Sequence, residues 1–103
     1  MFFMIRYALP VACAAAIFSP MIASAGEVYN REMHQEQRIF DGVRDGQITA
    51  SEFRNLERRE LSVNAQRVVN LNHDGGHLTR DQYWKLNHRL NSISNSIYVD
   101  RHN

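Results

Sequence analysis

Apolar residues recur at helical spacing in three stretches of the chain, with glycine turns between them. The most regular stretch runs from about Arg80 to Tyr98. Its residues Tyr83, Leu86, Leu90, Ile93 and Ile97 step by 3, 4, 3 and 4, which predicts a helix with an a/d seam packed on another helix. From about Glu27 to Phe40, Tyr29, Met33 and Phe40 fall near one face, with Val28 and Ile39 flanking them. A further stretch begins at about Ala50 and carries Phe53, Leu56, Leu61, Ala65 and Val68. The step from Leu56 to Leu61 is too long for the rhythm. Two alternatives fit it: a kink near Leu61-Ser62, where Ser62 can cap a new helix, or one continuous helix. The polar tail Asp100 to Asn103 is expected to fray.

Two halves of the chain repeat with an offset of thirty residues. Asp45-Gly46-Gln47-Ile48-Thr49 matches Gly75-Gly76-His77-Leu78-Thr79, and Phe53, Leu56 and Arg59 match Tyr83, Leu86 and Arg89. Thr49 and Glu52 have capping-box spacing, and so do Thr79 and Gln82. In each half the residue before the threonine (Ile48, Leu78) can staple onto the aromatic after the box (Phe53, Tyr83).

The chain begins with the three parts of a secretory signal: Arg6, an apolar run from Ala8 to Phe18, and a small-residue site at Ala23-Ser24-Ala25. Residues 1–25 are therefore expected to be a cleaved leader, and 26–103 a single small domain, periplasmic or secreted. Leader removal takes away Cys13, the one cysteine, and both prolines. No disulfide, thiol nucleophile or cysteine metal site then remains. Arg6 is the leader's only charge, so eleven basic side chains face eleven acidic ones in the remainder. That balance argues against nucleic acid as a partner, and after cleavage no membrane association is expected. So short a chain has a core near the lower limit for independent stability, which dimerisation, a protein partner or a bound ion would help.

The repeat resembles a degenerate pair of EF-hands. In the first half the loop would run from Asp41 to Glu52. Asp41 stands at position 1, Asp45 at 5, Gly46 at 6, Ile48 at 8 and Glu52 at 12. The resemblance implies calcium held by Asp41, Asp45 and Glu52, with the Gln47 carbonyl added. Val43 departs from it at position 3, where an oxygen ligand is needed. The second half departs further: Gly76 lengthens the loop, and Gln82 cannot replace a bidentate carboxylate. It is not expected to bind calcium alone. The chain is also similar to a group of small exported bacterial proteins through Gly42-Val43-Arg44-Asp45-Gly46-Gln47-Ile48-Thr49, Leu56-Glu57-Arg58-Arg59-Glu60 and the ending Ser96 to Asn103. That group keeps the loop glycines and threonine rather than the acidic ligands, and it implies no biochemical activity.

Capping accounts for both halves, whereas calcium accounts for one, so the threonines are read first as helix caps. Any calcium site is expected to be weak, with Kd on the order of 10⁻⁴–10⁻³ M. A histidine-based site for zinc, copper or nickel is the alternative, from His73, His77 and His88 with Asp74. Nothing points to an enzyme: nucleophile, phosphate-loop and HExxH patterns do not occur. Glu57-Arg58-Arg59-Glu60 reads as a solvated helix face with local ion pairs, and Trp84 as a cover for the core edge or part of a partner surface. The expected fold is all-α, two helix–turn–helix halves packed as a small EF-hand-like domain after the signal peptide. Its expected role is non-enzymatic, as a structural or interaction module with weak calcium binding.

Overall fold

The computed structural model describes the backbone of residues 12–103 and the side chains from residue 25 onward. The first eleven residues of the expected leader lie outside the described residues. The domain is all-α: α1 spans Ala12–Arg44, α2 Ala50–His73 and α3 Arg80–Arg101, and each packs on the other two. Among the described residues no helix is long and apolar enough to cross a membrane.

Local chemistry explains where α2 and α3 begin. Thr49 (φ −76°, ψ 164°) and Thr79 (φ −72°, ψ 162°) both sit in extended backbone. The Thr49 hydroxyl accepts the Glu52 N–H at 3.1 Å, and Glu52 Oε1 accepts the Thr49 N–H at 2.9 Å. Thr79 and Gln82 repeat this at 3.1 and 2.9 Å. Each box satisfies two helix-end donors that would otherwise lack partners.

The helix before α2 closes on Gly46, which stands at φ +75°, a conformation that costs glycine little. The Gly42 carbonyl there accepts both Gln47 N–H (2.8 Å) and Ile48 N–H (3.1 Å). A Cβ on Gly42 would clash with the buried Ile48 side chain, so this close approach needs a glycine.

Helix α2 is continuous from Ala50 to His73, with no break at Leu61-Ser62. The two helix–turn–helix halves therefore share it, and their turns lie about 36 Å apart along its axis. Ser62 caps nothing; its hydroxyl accepts from Arg89 Nη2 at 2.6 Å. The α3 seam is buried as expected at Leu86, Leu90, Ile93 and Ile97, with Tyr83 packed against the core. This helix continues to Arg101 and His102 caps it, donating its N–H to the Val99 carbonyl at 3.1 Å, so the expected fraying from Asp100 onward is not seen.

The buried faces of α1 and α2 differ from the expected ones. In α1 the inward positions are Val28, Glu32, Gln35 and Ile39, while Tyr29, Met33 and Phe40 remain about half exposed. In α2 they are Leu56, Glu60 and Val63, while Leu61 is 65% exposed. The physical reason is the thirty-residue repeat. Leu56, Glu60 and Val63 take the places that Leu86, Leu90 and Ile93 take in α3. Glu60 thus stands where its counterpart is a core leucine.

Candidate functional site

Three polar side chains in the core define an unusual layer: Glu32, Gln35 and Glu60. Gln35 donates from Nε2 to the Leu90 carbonyl at 2.8 Å, which joins α1 to α3. Glu32 accepts from Arg67 Nε at 2.9 Å, which joins α1 to α2. Glu60 has no such partner. It is 3% exposed, and neither carboxyl oxygen finds a hydrogen bond.

Two further carboxyl groups stand beside it. Glu36 of α1 faces Glu57 of α2 closely enough to hydrogen-bond it, while Glu36 Oε1 and Glu57 Oε2 are buried without partners. Burial, then the Glu57 hydrogen bond and the fields of Glu57, Glu60 and Glu32, push the Glu36 carboxyl up to about 8. Burial and the charges of Glu32 and Glu57 push Glu60 up to about 7, against the opposing pull of Arg59 and Arg31. Glu32 is also raised, because burial outweighs its pairing with Arg67.

Arg67 meets this cluster at Glu32, while the other nearby arginines turn to α3. Arg31 donates to Asn87 Oδ1 (2.7 Å) and Asn91 Oδ1 (2.9 Å) on α3. Arg59 donates to Ser96 (2.9 Å) and Ser92 (3.0 Å), and Arg38 to Ser94 (2.8 Å). Cations thus meet neutral acceptors along α3, while the acids gather between α1 and α2. The Glu57 to Glu60 run is therefore not a solvated face: Glu60 is core and Arg59 is an interhelical tie, with only Arg58 pointing out, towards Asn55.

The acid layer floors a groove with apolar rims. Glu32, Glu36 and Glu60 line a cavity of about 170 Å³ with Met33, Leu61 and Asn64. Along this antiparallel pair, Phe40 meets Phe53 at 5.9 Å between ring centroids, Met33 and Leu61 share the cavity mouth, and Arg67 lies 5.1 Å from the Tyr29 ring centre.

The three carboxylates expected to hold calcium are all engaged with other protein groups, whereas for Gln47, whose carbonyl was the expected ligand, it is the side chain that is engaged. Asp41 lies inside α1, where its Oδ1 accepts from Gln37 Nε2 (3.0 Å) and pairs with Arg44 (2.9 Å). Asp45 is 3.7 Å from Arg44 and 3.8 Å from Arg101. Gln47 Oε1 accepts from Arg101 Nε at 2.7 Å, and Glu52 serves the capping box. The histidines are dispersed: His73 pairs with Asp74 at 3.1 Å beside the second turn, and His88 stacks on the 64% exposed Trp84 at 5.2 Å. Trp84 therefore covers no core. Among the described residues, no three His, Cys, Asp or Glu side chains are grouped to hold a metal ion.

Sequence reasoning passed over Glu32 and Glu36 and placed Glu57 and Glu60 on a solvated face. One signal was available: carrying the offset one step beyond Leu56 and Leu86 aligns Glu60 with Leu90. Compared with known proteins, the chain matches no family model, no curated protein and no solved structure.

Proposed function

We propose that this is a small exported, non-enzymatic helical module that works by presenting its α1/α2 face to another protein or to a second copy of itself. The observation that carries the reading is the row Tyr29, Met33, Phe40, Leu61 and Val68, which stays at least 40% exposed although the domain has a well-buried core elsewhere. Exposed apolar side chains gathered on one face of a helix pair suit contact with another protein. A photo-crosslinking amino acid at Leu61 should give discrete protein adducts in cells, and the same group at the exposed Arg54 should not. Equal, diffuse labelling at both positions would sink the reading.

Weak calcium binding at the first turn belongs to the same proposal, as a secondary property. It requires Asp41, Asp45 and Glu52 to exchange their present partners for the ion, with the Gln47 carbonyl added. Calcium titration followed by amide NMR should then move signals confined to residues 41–52. Export is checked by mass spectrometry, which should find a mature N-terminus at or near Gly26.

A further inference from the structure

The groove between α1 and α2 combines two features that a solvated helix pair does not need. Its rims are apolar at helical spacing, with Tyr29, Met33 and Phe40 on one side and Leu61 and Val68 on the other, and it ends where Phe40 meets the partly buried Phe53. Its floor is acidic, and the acid is unsatisfied: both Glu60 oxygens, Glu36 Oε1 and Glu57 Oε2 are buried without a partner. Burying a polar group without a partner is costly, so a group that supplied hydrogen bonds there would gain affinity. The cavity of about 170 Å³ is lined by Glu60 together with Met33 and Leu61, which are 44% and 65% exposed. An unbranched Met33 can swing aside to widen the entrance.

We propose that this groove docks an amphipathic helix of a partner protein, whose apolar face lies on the two rims and whose lysine or arginine enters the cavity to meet Glu36 and Glu60. The inference rests on the interaction-module reading and adds the charge and shape of the partner. The occupant is cationic because carboxyl groups from both helices line the floor. Arg67 pairs with Glu32, while Arg31 is committed to Asn87 and Asn91 and Arg59 to Ser92 and Ser96, so among the described residues no arginine pairs with Glu36 or Glu60. The occupant is helical because the rims run along two helices, the arrangement into which amphipathic helices pack. Entry of the cation favours the ionised carboxylates, so docking releases protons from Glu36 and Glu60, whose carboxyl groups burial holds partly protonated near neutral pH.

The test is calorimetric titration of the purified protein at neutral pH with a synthetic helix of leucine and lysine, about 18 residues or five turns long. A peptide with glutamate in place of lysine serves as the control. The lysine peptide is expected to bind at least about tenfold more tightly than the glutamate peptide, and its heat should vary with buffer ionisation enthalpy as protons leave. The E36Q/E60Q variant should weaken it by about tenfold, and Leu61→Lys, on the exposed rim, should do the same through charge and lost apolar contact. Circular dichroism establishes that each variant is folded; should E36Q/E60Q unfold, Leu61→Lys decides. Equal binding of both peptides, or lysine-peptide affinity unchanged in the variants, overturns the proposal. No binding of either peptide, with discrete adducts still formed at Leu61, overturns the charge of the partner alone. No binding and no adducts removes the module reading as well.

Discussion

Arg67 of α2 donates through Nε to Glu32 of α1 at 2.9 Å, and the two side chains are only 12% and 4% exposed. Two groups that usually sit in water are thereby placed where apolar side chains would pack. Removing one partner leaves the other's charge or polarity buried alone, which typically costs about 3–5 kcal/mol. Arg67→Met is therefore expected to lower stability by several kcal/mol, while the double change Glu32→Leu with Arg67→Met should recover most of the loss. Urea unfolding of the three proteins checks this. A double variant no more stable than Arg67→Met would show that the pair is not the source of the effect.

Stability should fall as pH rises. Glu36 and Glu60 are held above the ordinary value of 4.5, at about 8 and about 7, when folded. A raised folded value means that the native state binds protons more tightly than the unfolded chain. Their contribution is fully present below about pH 4.5 and is lost as pH passes through about 7 to 8. Melting temperature should thus drop by several degrees between pH 5 and pH 9. Glu60→Leu, which makes α2 resemble α3 at this level, should raise stability at pH 8 and flatten the slope. Thermal melts across pH would refute this if wild type and variant ran in parallel.

Both capping threonines should matter to a similar degree and without calcium. Each of Thr49→Ala and Thr79→Ala is expected to cost about 1 kcal/mol, the usual value of an N-cap. Denaturation in chelator-containing buffer measures it. Loss confined to calcium-containing buffer for Thr49→Ala would instead assign that residue to ion binding.

The α3 seam should dominate folding. Leu86 and Leu90 are fully buried, and truncating either to alanine is expected to cost about 2–5 kcal/mol, enough to unfold much of so small a domain. Arg58→Ala, on the exposed side, should change little. Circular dichroism melts compare the three.

Gly42→Ala is expected to destabilise by about 1–3 kcal/mol through the clash with Ile48. Pairing it with Ile48→Ala should relieve the steric part, so the two changes should be less than additive. Additive losses in urea unfolding would deny the contact.

What could be read directly from the chain is local in origin. The boxes at Thr49 and Thr79 join residues three apart, so their spacing is visible in the sequence and their geometry follows. The α3 seam is equally plain, because Leu86, Leu90, Ile93 and Ile97 are all apolar and the helical repeat displays them as one stripe. Tertiary structure alone decided which faces of α1 and α2 turn inward. Taken singly, α1 shows its strongest apolar side at Tyr29, Met33 and Phe40, yet the domain buries Glu32 and Gln35 instead. Arg67 and the Leu90 carbonyl, 35 and 55 residues away in sequence, bond the Glu32 carboxylate and the Gln35 amide N–H, although Gln35 Oε1 keeps no partner. Whether a polar side chain can bear burial depends on the partners that other helices bring to it. The spacing within one helix carries no record of those partners, so the acid layer and the apolar groove above it emerge only when the three helices pack.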